Sequence, residues 1–439
     1  MLMSPQKRQE ILEALRRGTV PHNNLDAFAV GLERIQPTLD AELRNVSAGG
    51  SVFKAVRGEY GCGKTFFARW LADRARKAGF ATSEVQISET ETPLHRLETV
   101  YRRFMERLAT ADTPHGALRN VIDAWFFTLE EDILAEGAIR INEEAQLLAR
   151  TNALLEQRLA TVTSVSPLFS SALRGYRQAL AQGNQVVADS ILAWVAGQPN
   201  VAAAAKRSAG VKGEIDHFGA LNFLQGVLTI LRDSGRPGLL LVVDEVETIQ
   251  RVRSDIRDKS LNALRQLIDE IDSGRFPGLY LIITGTPAFF DGPQGVQRLE
   301  PLAQRLHVDF QTDARFDNPR AVQIRLPAFD LERLRLVGSR VRDIFCQHTP
   351  SAARISVLCD DLYIQELATA VAGKLGGKIG VAPRIFLKKL VADVLDRIDQ
   401  FADFQPRVHY ALTIDETELT RVERQAFGVV DVNDIELDL

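Results

Sequence analysis

Two hydrophobic periods share this chain. Ile11, Leu12 and Leu15 recur at helical spacing behind Ser4-Pro5, an N-cap followed by a first-turn proline, and Gly18 closes the segment. After the turn-like GTVPHNNLD, a second helical pattern runs through Phe28, Val30, Leu32, Ile35, Leu39, Leu43 and Val46, and Pro37 is expected to kink or split it. From Gly49-Gly50 onward, short apolar runs alternate with long amphipathic ones. The runs predict strands at 51–57, 81–87, 239–244, 279–284 and 322–326. The third and fourth are unbroken apolar stretches, as expected of strands buried on both faces of a parallel sheet.

The second and third strands are separated by segments of helical period: LETVYRRFMERLA, VIDAWFFTLEEDILAEGA, NEEAQLLARTNALLEQRLA and SALRGYRQALAQ. A structureless loop of that length inside a domain is improbable, so a helical insertion is expected. A small-residue breaker, GQPNVAAAAKRSAGVKG, precedes a helix from His217 to Ser234. Three further helical patterns follow the fifth strand, beginning near Leu331, Tyr363 and Pro383. HYALTI then reads as a short strand or hook before an acidic tail, DVNDIELDL. The resulting plan is an N-terminal segment at 1–50, a core at 51–89 and 211–330, the insertion at 90–210, a helical lid at 331–405 and a hook with tail at 406–439.

Composition narrows the class. The 439 residues are 45% hydrophobic and 25% charged, which suits a globular chain rather than a disordered one. No run is long and apolar enough for a membrane span, and the charged N-terminus lacks a secretory h-region. The three cysteines are far apart and lack metal-ligand spacing, so no disulfide framework or zinc ribbon is expected and the cytoplasm is the default compartment. The net charge of −4 gives no general affinity for nucleic acid; Lys206, Arg207 and Lys212 are a local basic group that a solvated loop also explains.

The chemistry concentrates after the first strand. Gly58-Glu59-Tyr60-Gly61-Cys62-Gly63-Lys64-Thr65 matches the G-x-x-x-x-G-K-[ST] phosphate loop and opens a helix through Phe66. Glycines let successive N–H groups face phosphate oxygens, the helix offers its positive end, Lys64 reaches the β- and γ-phosphates and Thr65 ligates Mg²⁺. Cys62, at a helix start, is expected to have a lowered pKa while serving as a small filler. The third strand ends Asp244-Glu245, a Walker B pattern in which Asp244 holds Mg²⁺ and Glu245 is the base for the attacking water, with Glu247 in a supporting role. Thr284 ends the fourth strand, where its hydroxyl can cap the following turn; a resemblance to AAA+ ATPases, whose next strand ends in a polar residue, implies a γ-phosphate sensor instead. Trp125-Phe126-Phe127 reads as core, with an exposed aromatic patch as the alternative.

In this order the motifs resemble those of AAA+ ATPases. The resemblance implies an α/β fold, a P-loop core of the additional-strand (ASCE) type, with a parallel five-stranded sheet, a large helical insertion and a C-terminal helical lid. Within that superfamily, Val20-Pro21 with Phe28–Gly31 is similar to the adenine-side box of the initiator and origin-recognition clade, and LPAFD at 326–330 to the step into the lid. By the same resemblance Arg384 in APR is a second sensor. Arg298 and Arg305 are arginine-finger candidates, each of which a structural or solvated arginine also explains. GEYGCGKT, LLLVVDEVETIQR, TGTPAFFDGPQGVQRL and APRIFLKKLVADVLD together resemble the BrxD family of ATP-binding proteins from BREX phage-defence systems. That resemblance implies ATP and Mg²⁺ as ligands and other defence proteins, including a helicase, as partners. DNA is a candidate partner and self-assembly, with or without nucleotide control, is expected. The segment 406–439 is shorter than a winged-helix domain, so the initiators' mode of DNA binding is not expected from it. The activity implied is ATP hydrolysis coupled to remodelling of DNA or a partner. A slow, switch-like NTPase that displays its insertion to a protein without touching DNA is the alternative, and a scaffold binding ATP structurally is a third reading.

Overall fold

A computed structural model of the chain describes residues 3–136, 144–375, 383–420 and 423–424. Five strands form one parallel sheet: β1 (Val52–Arg57), β2 (Ala81–Gln86), β3 (Leu239–Asp244), β4 (Leu279–Gly285) and β5 (Gln323–Arg325), in the order β2-β3-β4-β1-β5. Every residue of β3 and β4 is buried, and their register pairs Leu239 with Leu279 through Val243 with Ile283. Continuous burial is why these two segments carry no alternation. β2 is bracketed into the sheet beyond β3, with Gln86 opposite Asp244.

The chain divides into two compact units: Met1–Thr38 with Val56–Asp73 and Asp309–Leu439, and Leu39–Ala55 with Arg74–Val308. In the second, the odd residue of β1 is Lys54, which is 2% exposed. Its ammonium lies 2.6 Å from Glu42 on the helix Gln36–Ser47, and Glu42 also accepts the hydroxyl proton of buried Tyr280. A buried charge is tolerable only with such partners. Burial and the Glu42 carboxylate push the Tyr280 phenol well above its usual range.

Between β2 and β3 the described residues form helices, beginning with Leu97–Glu106, Leu118–Ala135, Glu144–Arg158, Pro167–Ala181 and Gln185–Val195. An isolated bridge, Thr82 with Ala109, is the strand-like pairing there. Within the expected breaker, Ala203–Ser208 makes a short helix. Phe223, on the helix His217–Asp233, is the centre of an aromatic cluster formed with Tyr101, Phe169 and Trp194. The indole N–H groups are satisfied at its margins: Trp194 donates to the Gly213 carbonyl at 3.0 Å and Trp125 to Asp233 at 2.7 Å. Trp125 and Phe126 are core residues, whereas Phe127 is exposed.

Gly226 is set by this cluster, because a Cβ there would stand 2.4 to 2.7 Å from the Phe169 ring. Alanine in a helix gains about 1 kcal/mol over glycine, but overpacking a filled core costs about 1–3 kcal/mol. Phe169 is fully buried and has nowhere to yield. Gly226→Ala is therefore expected to lower the urea midpoint with an unchanged m-value; a raised midpoint would show that the cluster relaxes freely.

The first unit joins the N-terminal helix Pro5–Arg16 to the C-terminal helices. Arg16 forms a bidentate pair with Asp396 at 2.7 and 2.8 Å, and Arg8 donates to the carbonyls of Ile344 and Phe345. The helices Leu331–Cys346 and Asp361–Lys374 are closely packed at Gly338, where a Cβ would collide with Ile364 and Phe386. The helix beginning at Pro383 widens into a π-helical stretch, Lys389–Leu395, before Asp396–Gln400.

Two expectations need correction. The second N-terminal pattern is not one kinked helix: Leu25–Ala27 is a short 3-10 turn and the helix starts at Gln36, with Pro37 inside its first turn. Phe28, Leu32 and Ile35 are buried from irregular backbone, so their spacing reported burial rather than a helix. HYALTI makes no strand; Pro406–His409 is a short helix and residues 410–414 have no regular structure. Proline favours a first helical turn, which the apolar alternation concealed. Ala382 and the acidic tail at 431–439 lie outside the described residues.

Candidate nucleotide site

The glycine-rich loop leaves β1 and its backbone explains its composition. Gly61 and Gly63 have φ of 81° and 93°, which a side chain would strain. At Gly58 a Cβ would fall 2.3 Å from the Cys62 sulfur and 3.4 Å from Leu326, so the loop has no room for one. Lys64 begins the helix Lys64–Lys77 and is itself buried. Its ammonium donates to the carbonyls of Gly58 at 2.8 Å and Glu59 at 3.3 Å, and lies 5.0 Å from the Tyr60 ring centroid. A cation held by its own loop's carbonyls, beside glycines that leave the backbone open, fits a polyphosphate. Thr65 follows in the first helical turn, half-buried. The Cys62 expectation is corrected: burial raises its thiol pKa, outweighing the lowering influence of Lys64, so it is a filler without thiolate character.

Val20 and Pro21 belong to a segment tied to the same helix. Arg69 donates to the Val20 carbonyl at 2.8 Å, Trp70 to Asp26 at 2.6 Å, and Phe66 meets Phe28 edge-on at 5.3 Å between centroids. Phe329 flanks the loop as well, 3.7 Å from where a Gly63 Cβ would stand.

The acidic motif is a separate cluster at the ends of β2, β3 and β4. Thr284, fully buried, donates its hydroxyl proton to the Asp244 carboxylate. Glu245 turns the chain through left-handed backbone, φ 57° and ψ 45°, rare for a residue other than glycine or asparagine. Two acceptors hold that turn: the Glu245 N–H points to Asp244 Oδ1 at 3.1 Å and Thr284 Oγ1 at 3.2 Å. The Glu245 carboxylate accepts from Gln86 Nε2 at 2.7 Å. Sequence reasoning missed Gln86, although a polar residue next to last in the predicted strand ATSEVQI was the available signal. Strain held by specific bonds marks sites where orientation matters. Glu247 is buried nearby.

Arg298 pairs with Asp258 and donates to Ser254 Oγ at 2.7 Å; Arg305 pairs with Asp269 and donates to the Pro301 carbonyl at 2.7 Å. Arg384 pairs with Glu423, with 2.9 Å between Nε and Oε1, and its guanidinium packs over Gly18.

A parallel sheet with its phosphate loop after β1 and a carboxylate pair closing β3 defines a P-loop NTPase core. The profile of one family, described as BREX system ATP-binding protein BrxC/D, matches residues 3–414, and the chain belongs to that family. It is thus an ATP-binding component of the BREX defence system, which implies other proteins of that system as its company. No curated protein and no solved structure matches the chain. Among the described residues, no helix is long and apolar enough to cross a membrane.

Proposed function

We propose that this protein is a Mg²⁺-dependent AAA+ ATPase that hydrolyses ATP and couples turnover to remodelling DNA or a partner protein. The observation that carries the reading is the arrangement of Glu245: its backbone is fixed by Asp244 and Thr284 and its carboxylate by Gln86. A general base must be aimed before its pKa matters, and this one is aimed by three groups. Gly58 to Phe66 wrap the phosphates, with Lys64 exchanging loop carbonyls for phosphate oxygens. Val20 and Pro21 border the base. Mg²⁺, held by Thr65 and Asp244, supplies charge neutralisation when bound. Thr284 orients Asp244 and the attacking water, Glu245 accepts the water's proton, and Arg384 senses the γ-phosphate.

Arg305, and secondarily Arg298, is assigned as the finger acting on a neighbouring copy, so the chain works as a homo-oligomer. Both are engaged by carboxylates of their own chain, Asp269 and Asp258. That engagement favours, as a second reading, a slow switch that displays the helices of 90–210 to a partner and turns over little until assembled. Arginine supplied in trans is worth about 10³–10⁵ in rate in GTPases. Arg305→Ala is therefore expected to bind ATP normally and lose turnover, and mixing it with Glu245→Gln protein should restore part of it. Turnover independent of protein concentration and untouched by Arg305→Ala would remove the finger and the shared site together.

A further inference from the structure

We propose that residues 415–420, together with Glu423, form an internal latch whose carboxylates occupy the cations Arg384, Lys388 and Lys389, and that the γ-phosphate of ATP displaces it. The inference rests on the reading of Arg384 as the γ-phosphate sensor.

The latch is built, not draped. Asp415 and Glu418 form a capping box around the turn Glu416–Glu418, and the Thr420 N–H donates to Glu423 at 2.7 Å. Two of its glutamates, Glu418 and Glu423, then divide three cations. Glu418 receives Lys388 at 2.6 Å and Lys389 at 2.7 Å, one on each carboxylate oxygen. Glu423, 4% exposed, takes Arg384 through both oxygens, and the Glu418 carbonyl accepts from the same guanidinium.

A guanidinium forked onto a carboxylate has the geometry it would use on a phosphate, so the two anions compete for it. The cations also lie beside the Val20-Pro21 segment to which the proposed function assigns the adenine side. The Arg384 guanidinium and the Lys388 stem pack over Gly18, two residues before Val20, whose carbonyl is held by Arg69 from the phosphate-loop helix.

Mild acid does not release Glu418 from its two lysines. Partial burial works against the Glu418 charge, but the two lysine ammoniums override it and hold the carboxyl at about 2. Its contribution is complete above the ordinary glutamate value of about 4.3 and is lost only as pH falls toward 2.

Two measurements on the full chain test this. In Glu418→Gln/Glu423→Gln protein, the non-hydrolysable analogue AMPPNP should bind about tenfold tighter because the competent state is no longer taxed, with ADP within about twofold of wild type. In wild type, hydrogen exchange at amides 415–420 should accelerate when AMPPNP is added and stay unchanged with ADP. Unchanged or weaker AMPPNP binding by the variant, with steady exchange in wild type, overturns the latch. If Arg384→Ala still weakens AMPPNP selectively, the sensor survives that failure; if it does not, the sensor reading falls and takes the latch with it. Should the variant fold poorly, the exchange experiment on wild type decides alone.

Discussion

Lys64→Ala is expected to abolish measurable ATP binding while leaving the fold intact. Lys64 contributes a point charge at the head of its helix, where its ammonium donates to the carbonyls of Gly58 and Glu59. Charge-assisted hydrogen bonds are worth about 1.5–3 kcal/mol each, so losing two of them to phosphate weakens binding by roughly 10²–10⁴. Titration calorimetry reads this directly. Equal affinity in wild type and Lys64→Ala would mean that the loop is an ordinary glycine turn.

Glu245→Gln is expected to separate binding from chemistry. The amide keeps the size of the side chain, its backbone N–H still reaches Asp244 and Thr284, and its oxygen still accepts from Gln86. What it loses is the ability to take a proton. General-base catalysis contributes about 10²–10⁴ in rate, so turnover should fall by that factor with ATP affinity nearly unchanged. Turnover at the wild-type rate would place the base elsewhere.

Much of this was legible in the sequence, for identifiable reasons. β3 and β4 announce themselves because burial on both faces removes every polar residue until Asp244 and Thr284. The phosphate loop is legible because its glycines answer a backbone demand, visible as positive φ at Gly61 and Gly63. Other features depend on partners far along the chain, and local pattern cannot carry them. Gln86 acquires meaning only when register sets it opposite Asp244. Lys54 looks misplaced in a strand until Glu42 supplies its counter-charge. Arg384 is read in sequence as a second sensor at a helix start, and its pairing with Glu423, 39 residues on, comes from the fold. Cys62 was misjudged because proximity to a helix start suggests a stabilised thiolate, while burial, which sequence does not display, acts more strongly in the opposite direction.

The most direct test of the ATPase assignment is phosphate release from ATP by the purified chain, followed with Mg²⁺ present and after its removal with EDTA. Release that depends on Mg²⁺, rises with protein concentration and disappears in Lys64→Ala and Glu245→Gln is the predicted result. Absence of release at any protein concentration from wild-type protein that binds ATP, or release that persists unchanged in Glu245→Gln, would contradict it.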